Sequence, residues 1–345
     1  MKKKTNLKLY LRSAFVNCYH RFFVAPKWGY KIKSKYKIKK DESVLIISNH
    51  QTIEDVQFIS LSFNKPIHAV ISDTFFSQKN RKLFRRLGYI PHRKGLPDYN
   101  STIEMARIIN HGGSILLFPE GNRTYAEFQY HVDMNLIKMV KALKPTIVLF
   151  NLVGGTGKNP RWGKSVRKGP FYGEIKKILK YEEYADIAED KLFHLIMQNI
   201  RVFDGEFGYK YRSDSRAEYL EEMLFACPVC HNLNSLYSKD NYIHCRKCGL
   251  EVEYQEDLTL RSPNNDFPFH ILNDWYQYQK QAIKDYEIKE NQIIFTDENL
   301  ILKELILDQD EILIDQGTLT LDDKELTIGH TAIPLIDIIC VSPYA

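Results

Sequence analysis

The sequence predicts an α/β protein with two small β-rich additions, and three observations lead there. Between residues 43 and 205, short apolar runs alternate with stretches of helical periodicity. Four of the six cysteines fall downstream of that region in two C-x-x-C pairs. From residue 291 onward the texture changes to short apolar strands joined by Asp- and Gly-containing turns. A chain of 345 residues has room for two or three domains and at least one large core. Its 44% apolar and 12% aromatic content excludes a mainly disordered protein.

The net charge of +5 conceals an asymmetry. Residues 1–40 contain 13 Lys and Arg and no Asp or Glu, so the remainder of the chain is acidic. Within this segment "TNLKLYLRSAFVNCYHRFFV" reads as an amphipathic helix, with Leu7, Leu11, Phe15 and Phe22 near helical spacing and Lys8, Arg12 and Arg21 between them. Its charges interrupt any run of 18 apolar residues, so it does not read as a transmembrane span. No cleavage site follows a long apolar core, so a secretory signal is not expected. The unopposed positive charge points to a helix lying on an anionic membrane surface. The bland alternative is a helix packed on the protein with solvated lysines.

In the alternating region, "SVLIISN", "PIHAVIS", "GSILLFPEG" and "PTIVLFNLVGG" are continuous apolar runs. Runs without polar alternation suit strands buried on both faces. Between them "DVQFISLSF", "SQKNRKLFRRLG", "LPDYNSTIEMARIINHGG" and "HVDMNLIKMVKALK" carry helical periodicity, the third with Asn100 or Ser101 as N-cap and Gly112 as stop. In an open α/β sheet, ligands gather outside the carboxyl ends of the strands. His50 stands just past "VLIIS", and Glu120 and Arg123 stand just past "SILLF". Two polar clusters therefore fall at one expected sheet edge.

The first cluster, "SNHQTIED", places His50 five residues before Asp55. An imidazole can accept a hydroxyl proton near neutral pH when a carboxylate on its far nitrogen holds the tautomer and stabilises the imidazolium. Residues five apart on a regular helix point about 140° apart, so His50 belongs in a loop or first turn with Asp55 reaching back. "GYIPHRKG" places Arg93 after a short strand, and "FPEGNRT" presents Glu120 and Arg123 on a loop shaped by Pro119 and Gly121. The planar guanidinium suits a phosphate group. "KPTIVLFNLVGG" ends in two glycines, where a backbone can approach a ligand closely.

H-x-x-x-x-D in "SNHQTIED", G-x-I-x-x-R in "GYIPHR", F-P-E-G-x-R in "FPEGNRT" and the later proline-led strand resemble the four blocks of the glycerolphosphate and lysophosphatidic-acid acyltransferase family. The resemblance covers roughly residues 40–175. It implies an α/β fold and transfer of a fatty acyl group from a thioester to a lysolipid hydroxyl. It also implies that His50 is the general base and Asp55 its orienting partner. Arg93, Glu120, Gly121 and Arg123 match positions that line the acceptor's glycerol-phosphate site. No Ser or Cys nucleophile stands out in the blocks, so direct transfer without an acyl-enzyme is expected. No catalytic cofactor is expected, and the donor is acyl-CoA or an acyl-carrier protein. Asn122 and Thr124 stand where Thr and Ser are commoner, and the fourth block departs from the usual V-P-I-V-P-V.

Cys227 and Cys230 in "CPVC" and Cys245 and Cys248 in "CRKC" are separated by 14 residues. Each pair can form a knuckle, and together they supply four thiolates to one tetrahedral structural Zn2+. The remaining Cys18 and Cys340 read as ordinary buried thiols. Ribbons of this kind can bind nucleic acid, but residues 226–258 hold three basic and five acidic side chains, the wrong sign for tracking phosphates. A folding staple or a protein-docking module is the better reading.

The expected organisation is a basic membrane-facing segment at 1–40, an acyltransferase domain at 41–222, a zinc ribbon at 223–258, a linker and helix at 259–289 and a β-rich tail at 290–345. The expected activity is acylation of 1-acyl-glycerol 3-phosphate to phosphatidic acid in phospholipid synthesis, at the cytoplasmic face of the cell membrane as a peripheral protein. The alternatives are a different lysolipid acceptor, or a non-catalytic scaffold whose ribbon binds a partner.

Overall fold

The structure is a computed structural model that describes residues 7–76, 81–94, 98–126, 128–263, 266–290, 292–339 and 341. Cys340 lies outside the described residues. The chain divides into two compact units, one of Met1–Ala69 with Ala106–Lys284, the other of Val70–Met105 with Asp285–Ala345.

Fifteen strands are described, β1 (Tyr30–Ile32), β2 (Val44–Ser48), β3 (His68–Ser72), β4 (Ile90–His92), β5 (Ser114–Leu117), β6 (Thr146–Val153), β7 (Phe171–Leu179), β8 (Leu236–Lys239), β9 (Tyr242–Cys245), β10 (Glu251–Tyr254), β11 (Leu260–Arg261), β12 (Phe295–Glu304), β13 (Ile312–Leu321), β14 (Glu325–Ile328) and β15 (Thr331–Pro334). The α-helices are α1 (Leu7–Tyr19), α2 (Ala25–Trp28), α3 (Asp55–Ser60), α4 (Arg81–Leu87), α5 (Tyr99–Asn110), α6 (Asn135–Leu143), α7 (Gly155–Lys158), α8 (Tyr181–Tyr184), α9 (Glu189–Ile200) and α10 (Leu272–Lys284).

The first unit is built on a sheet in the order β1-β7-β6-β2-β5, with His68 and Ala69 of β3 pairing with β5. β2 runs parallel to both of its neighbours, Val44 to Ile47 facing Ser114 to Leu117 and Val44 to Ser48 facing Thr146 to Phe150. Val44, Leu45, Ile46 and Ile47 are at most 2% exposed. This explains the unbroken apolar run, since a strand covered on both faces has no solvent side to mark. Each such side chain contributes about 1.5–3 kcal/mol by leaving water. Because β2, β5 and β6 point the same way, their carboxyl ends open on one edge.

Two elements of this sheet lie beyond the sequence expectation. β7 runs antiparallel to β6, and β1 pairs in parallel with β7 through Tyr30, Lys31 and Ile32. β7 contains Lys176 and Lys177, whose exposure breaks the apolar run that betrays a central strand. β1 lies inside the basic segment, where charge masks it. It is held by an aromatic cluster in which Tyr30 stacks on Phe58 at 4.5 Å and Phe171 meets both rings at 5.0 and 5.1 Å. Residues from Ala25 to Ile32 are thus part of the sheet's framework. α1 differs: none of its residues is buried, and Leu7, Leu11 and Phe15 are 58–76% exposed. Cys18 is exposed, contrary to expectation, because α1 has no buried face. Among the described residues no helix is long and apolar enough to cross a membrane.

The cysteine region folds as an antiparallel sheet in the order β11-β10-β9-β8. Its core, with Ile243, Val252, Tyr254 and Trp275, is continuous with Ala126 and Trp162 from loops after β5 and α7. Trp275 on α10 donates its indole N–H to the Ala226 carbonyl at 2.8 Å.

In the second unit Val70 to Ser72 pair in parallel with Ile90 to His92. α5 is preceded by Asp98, whose carboxylate accepts from the Ser101 and Arg93 amides at 3.0 Å each. Asp98 rather than Asn100 or Ser101 is therefore the cap. The tail forms an antiparallel sheet β12-β13-β14-β15. The six runs read from the sequence become four strands, because "QIIFT" with "LILKELIL" and "EILID" with "TLTLD" each merge across a β-bulge or tight irregularity. Arg85 bridges Asp308 through paired hydrogen bonds, one of them 3.0 Å.

Candidate active site

His50 stands two residues past β2, where the strand ends and a turn leads into α3. Asp55 opens α3 and is fully buried. One of its carboxylate oxygens, Oδ2, lies 2.8 Å from His50 Nδ1 and accepts from the Gln51 and Thr52 amides at 2.6 and 2.9 Å. The Thr52 hydroxyl donates to Oδ1 at 2.5 Å. A carboxylate held by this many donors at a helix N-terminus is fixed before any substrate arrives. It reaches back to the imidazole as the spacing predicts. Nδ1 is thus the ring nitrogen that Asp55 engages.

The imidazole is fixed from a second side by Phe118, whose ring stacks on it. Phe118 begins the third block, so one side chain joins the two blocks. The backbone joins them again where Thr124 N–H donates to the His50 carbonyl at 3.0 Å. His50 and Glu120 line the same small cavity, with Gln51, Phe128, Gln129 and Phe203.

Glu120 is largely withdrawn from water. Burial pushes its carboxyl up to about 7, partly offset by a 3.0 Å hydrogen bond from the Tyr130 amide. Gly121 turns the loop with φ +67°, in the left-handed region, and its N–H donates to the Phe118 carbonyl at 3.0 Å. Its α-carbon faces open space. Arg123 is lowered from arginine's usual range by burial and by the neighbouring Arg161, with Asp55 acting in the opposite direction. Arginine's range is high enough that it stays charged at neutral pH. Its buried Nε has no hydrogen-bond partner among the described residues.

Arg93 belongs to the second unit. It follows β4 and lines an open depression of about 290 Å³ with Asp73, Asp98, Tyr99 and Leu307.

Several contributors escape a reading of the blocks. Arg161 donates to the Arg123 carbonyl at 3.2 Å and lies over the Tyr125 ring at 4.4 Å. Ile200 at the end of α9, with Val202 and Phe203 just after it, forms a wall of the His50 cavity. They are about 150 residues from His50, and no motif marks them. The two glycines after β6 also serve a different purpose from the one expected. A Cβ on Gly154 would meet the Pro170 carbonyl at 2.2 Å, and one on Gly155 would meet Gln51 at 2.6 Å. The close approach there is protein to protein.

The four cysteine sulfurs lie within 4.8 Å of one another. Sγ of Cys227 is 3.7 Å from that of Cys248, and Cys230 is 3.7 Å from Cys245. A tetrahedral zinc ion with Zn–S bonds of about 2.3 Å requires sulfurs about 3.8 Å apart. The donor set therefore fits such an ion.

The fold thus sets an imidazole–carboxylate pair beside a loop carrying a glutamate and an arginine, at the carboxyl edge of parallel strands. Residues 30–151 match the family described as Acyltransferase. The match takes in the first three sequence blocks and most of the fourth. Among solved structures the chain is similar to the 1-acyl-sn-glycerophosphate (LPA) acyltransferase PlsC from Thermotoga maritima. The two are 14% identical, with 58% of this chain and 95% of that chain covered, at a TM-score of 0.44. No curated protein matches the chain.

Proposed function

We propose that this protein transfers a fatty acyl group from a thioester to the free hydroxyl of 1-acyl-glycerol 3-phosphate, giving phosphatidic acid. The observation that carries the reading is the 2.8 Å pairing of His50 with Asp55 in a cavity shared with Glu120. His50 Nε2 takes the proton of the acceptor hydroxyl as its oxygen attacks the thioester carbonyl. The new C–O bond forms, the C–S bond breaks, and the thiolate leaves with the proton from the imidazolium. Asp55 holds the ring and stabilises its charged state. Arg123 supplies a buried cation for the acceptor's anionic head. Arg93 is assigned to the phosphate from its sequence block alone, and Glu120 with Gly121 to the glycerol side.

The donor is acyl-CoA or an acyl-carrier protein, and the four cysteines hold a structural zinc ion. The exposed apolar face of α1 and the basic residues around it support attachment to the cytoplasmic face of an anionic membrane. The ribbon and the tail are available for a protein partner.

The test is an acyl-transfer assay over a panel of lysolipids with both donor types. Wild-type protein should acylate the phosphate-headed acceptor, and His50→Ala should lower turnover by about 10² to 10⁴-fold with the fold intact. Retained turnover in that variant refutes the base assignment. Arg93→Ala should raise the acceptor KM, and an unchanged value removes Arg93 from the phosphate site. Preference for an acceptor with another head group would move the substrate assignment.

A further inference from the structure

The two residues that flank His50 are both tied by their side chains to the far end of β6. Asn49 accepts from the Leu152 amide and donates to the Leu152 carbonyl, each at 2.9 Å. Gln51 accepts from the Gly155 amide at 2.9 Å. Its other amide atom, Nε2, donates to Asp204 Oδ1 at 3.1 Å. Asp204 is fully buried. Its carboxylate also accepts from the Gly154 amide at 2.7 Å and the Gly157 amide at 3.1 Å. It therefore gathers the N–H groups of the turn after β6 and the side chain beside His50 onto one centre.

A carboxylate is the group this position requires. Each of these neighbours presents a donor, and only a pure acceptor satisfies all of them. Burial raises the Asp204 carboxyl above the ordinary aspartate range, and the hydrogen bonds from Gly154, Gly157 and Gln51 work against that rise. The link through Gln51 gives the carboxyl group a further purpose. The backbone N–H of Gln51 is also the 2.6 Å donor to Asp55 Oδ2, the oxygen that faces His50 Nδ1. One residue thus joins the buried anchor to the orienting carboxylate.

We infer that Asp204, acting through Gln51, is a positioning residue for His50, setting the height and tilt of the imidazole relative to the strand edge. Asp204 touches neither His50 nor any reacting atom, so its effect is on geometry. It lies 153 residues from Gln51 and outside the matched residues 30–151. The inference rests on the acyl-transfer reading, because positioning is defined by the reaction that His50 performs.

The experiment is a double-mutant cycle on the full chain, with Gln51→Ala, Asp204→Asn and the combination, beside His50→Ala. The readouts are kcat, both substrate KM values and the thermal midpoint. Misplacing a catalytic group by about 1 Å costs up to roughly 10²-fold, so each single variant should lower kcat by about 10-fold or more with KM values little changed. The double variant should be no slower than the worse single, because both break one linkage. Multiplying losses would show independent roles and overturn the inference. So would a lowered thermal midpoint with kcat unchanged, which marks a structural brace only. Should Asp204→Asn fail to fold, Gln51→Ala decides alone: unchanged kcat rejects the linkage. Full activity in His50→Ala defeats the acyl-transfer reading itself, an outcome distinct from all of these.

Discussion

The ring of Phe118 lies parallel to the imidazole of His50, with centroids 4.1 Å apart and planes 15° apart. Phe118 is 8% exposed, so the stack is held by the core of the sheet. The imidazole is thereby confined in the plane by Asp55 and across the plane by Phe118. Replacing Phe118 with Leu keeps an apolar side chain but removes the flat support. The expected result is a kcat lowered by about 3- to 10-fold, with both KM values close to wild type. Steady-state kinetics measure this, and a changed KM with constant kcat would assign Phe118 to substrate contact.

Glu120 makes stability depend on pH in a defined direction. Its ordinary value is 4.5, and burial moves it to about 7 in the folded protein. Between these values the native state keeps a proton that the unfolded state has released. Its contribution to stability therefore declines as pH rises through the window, and the decline is complete above about pH 7. Glu120→Gln cannot ionise. The thermal midpoint of the variant relative to wild type should rise from pH 4.5 to pH 8. A difference that is flat across that range would place the titration elsewhere.

Asp55 serves three donors besides His50, so its removal has two consequences. Asp55→Ala leaves the Gln51 and Thr52 amides and the Thr52 hydroxyl without their acceptor. Buried donors left unpaired cost about 1–3 kcal/mol each before relaxation. Denaturant unfolding should show a loss of at least that size, and kcat should fall, but no further than in His50→Ala, because Asp55 acts through that ring. Wild-type stability in this variant would mean that water replaces the carboxylate.

The cysteine cluster predicts one zinc ion per chain by elemental analysis. Structural zinc contributes directly to folding, and the ribbon core is continuous with Trp162 and Ala126 from the loops after α7 and β5. Phe128, which lines the His50 cavity, also stacks on Tyr276 of α10 at 5.1 Å. Chelation should therefore lower both the thermal midpoint and kcat/KM, reversibly on adding zinc. Unchanged kcat/KM in fully metal-free protein would show that the ribbon and the site are energetically independent.

The apolar face of α1 gives a test of membrane attachment. Phe15 on α1 and Phe22 in the helical turn His20–Val24 that follows it are 76% and 66% exposed. Burying a phenylalanine is worth about 1.5–3 kcal/mol, so Phe15→Glu with Phe22→Glu should weaken binding to anionic vesicles by about 10²-fold or more. Sedimentation with vesicles measures it. Equal binding of the variant and wild type would return α1 to the role of an ordinary surface helix.

The outcome differs between parts of the chain for physical reasons. β2 and β5 were legible because strands buried on both faces must be apolar throughout. β1 and β7 were not, because one is hidden in a basic run and the other keeps lysines on its solvent side. Arg123 and Glu120 announced themselves through an ordered loop motif, whereas Asp204 shows only that an acidic residue precedes a glycine.

The order of residues by itself determined the candidate groups: a histidine five positions before an aspartate, a glutamate and arginine on one loop, and two C-x-x-C pairs. Those groups sit within a few residues of one another, so local geometry suffices to pair them. What tertiary structure decided is the support: the Phe118 stack, the Gln51 link to Asp204, and the wall at Ile200, Val202 and Phe203. These contacts join segments distant along the chain, and only closure of the sheet brings them to the same edge.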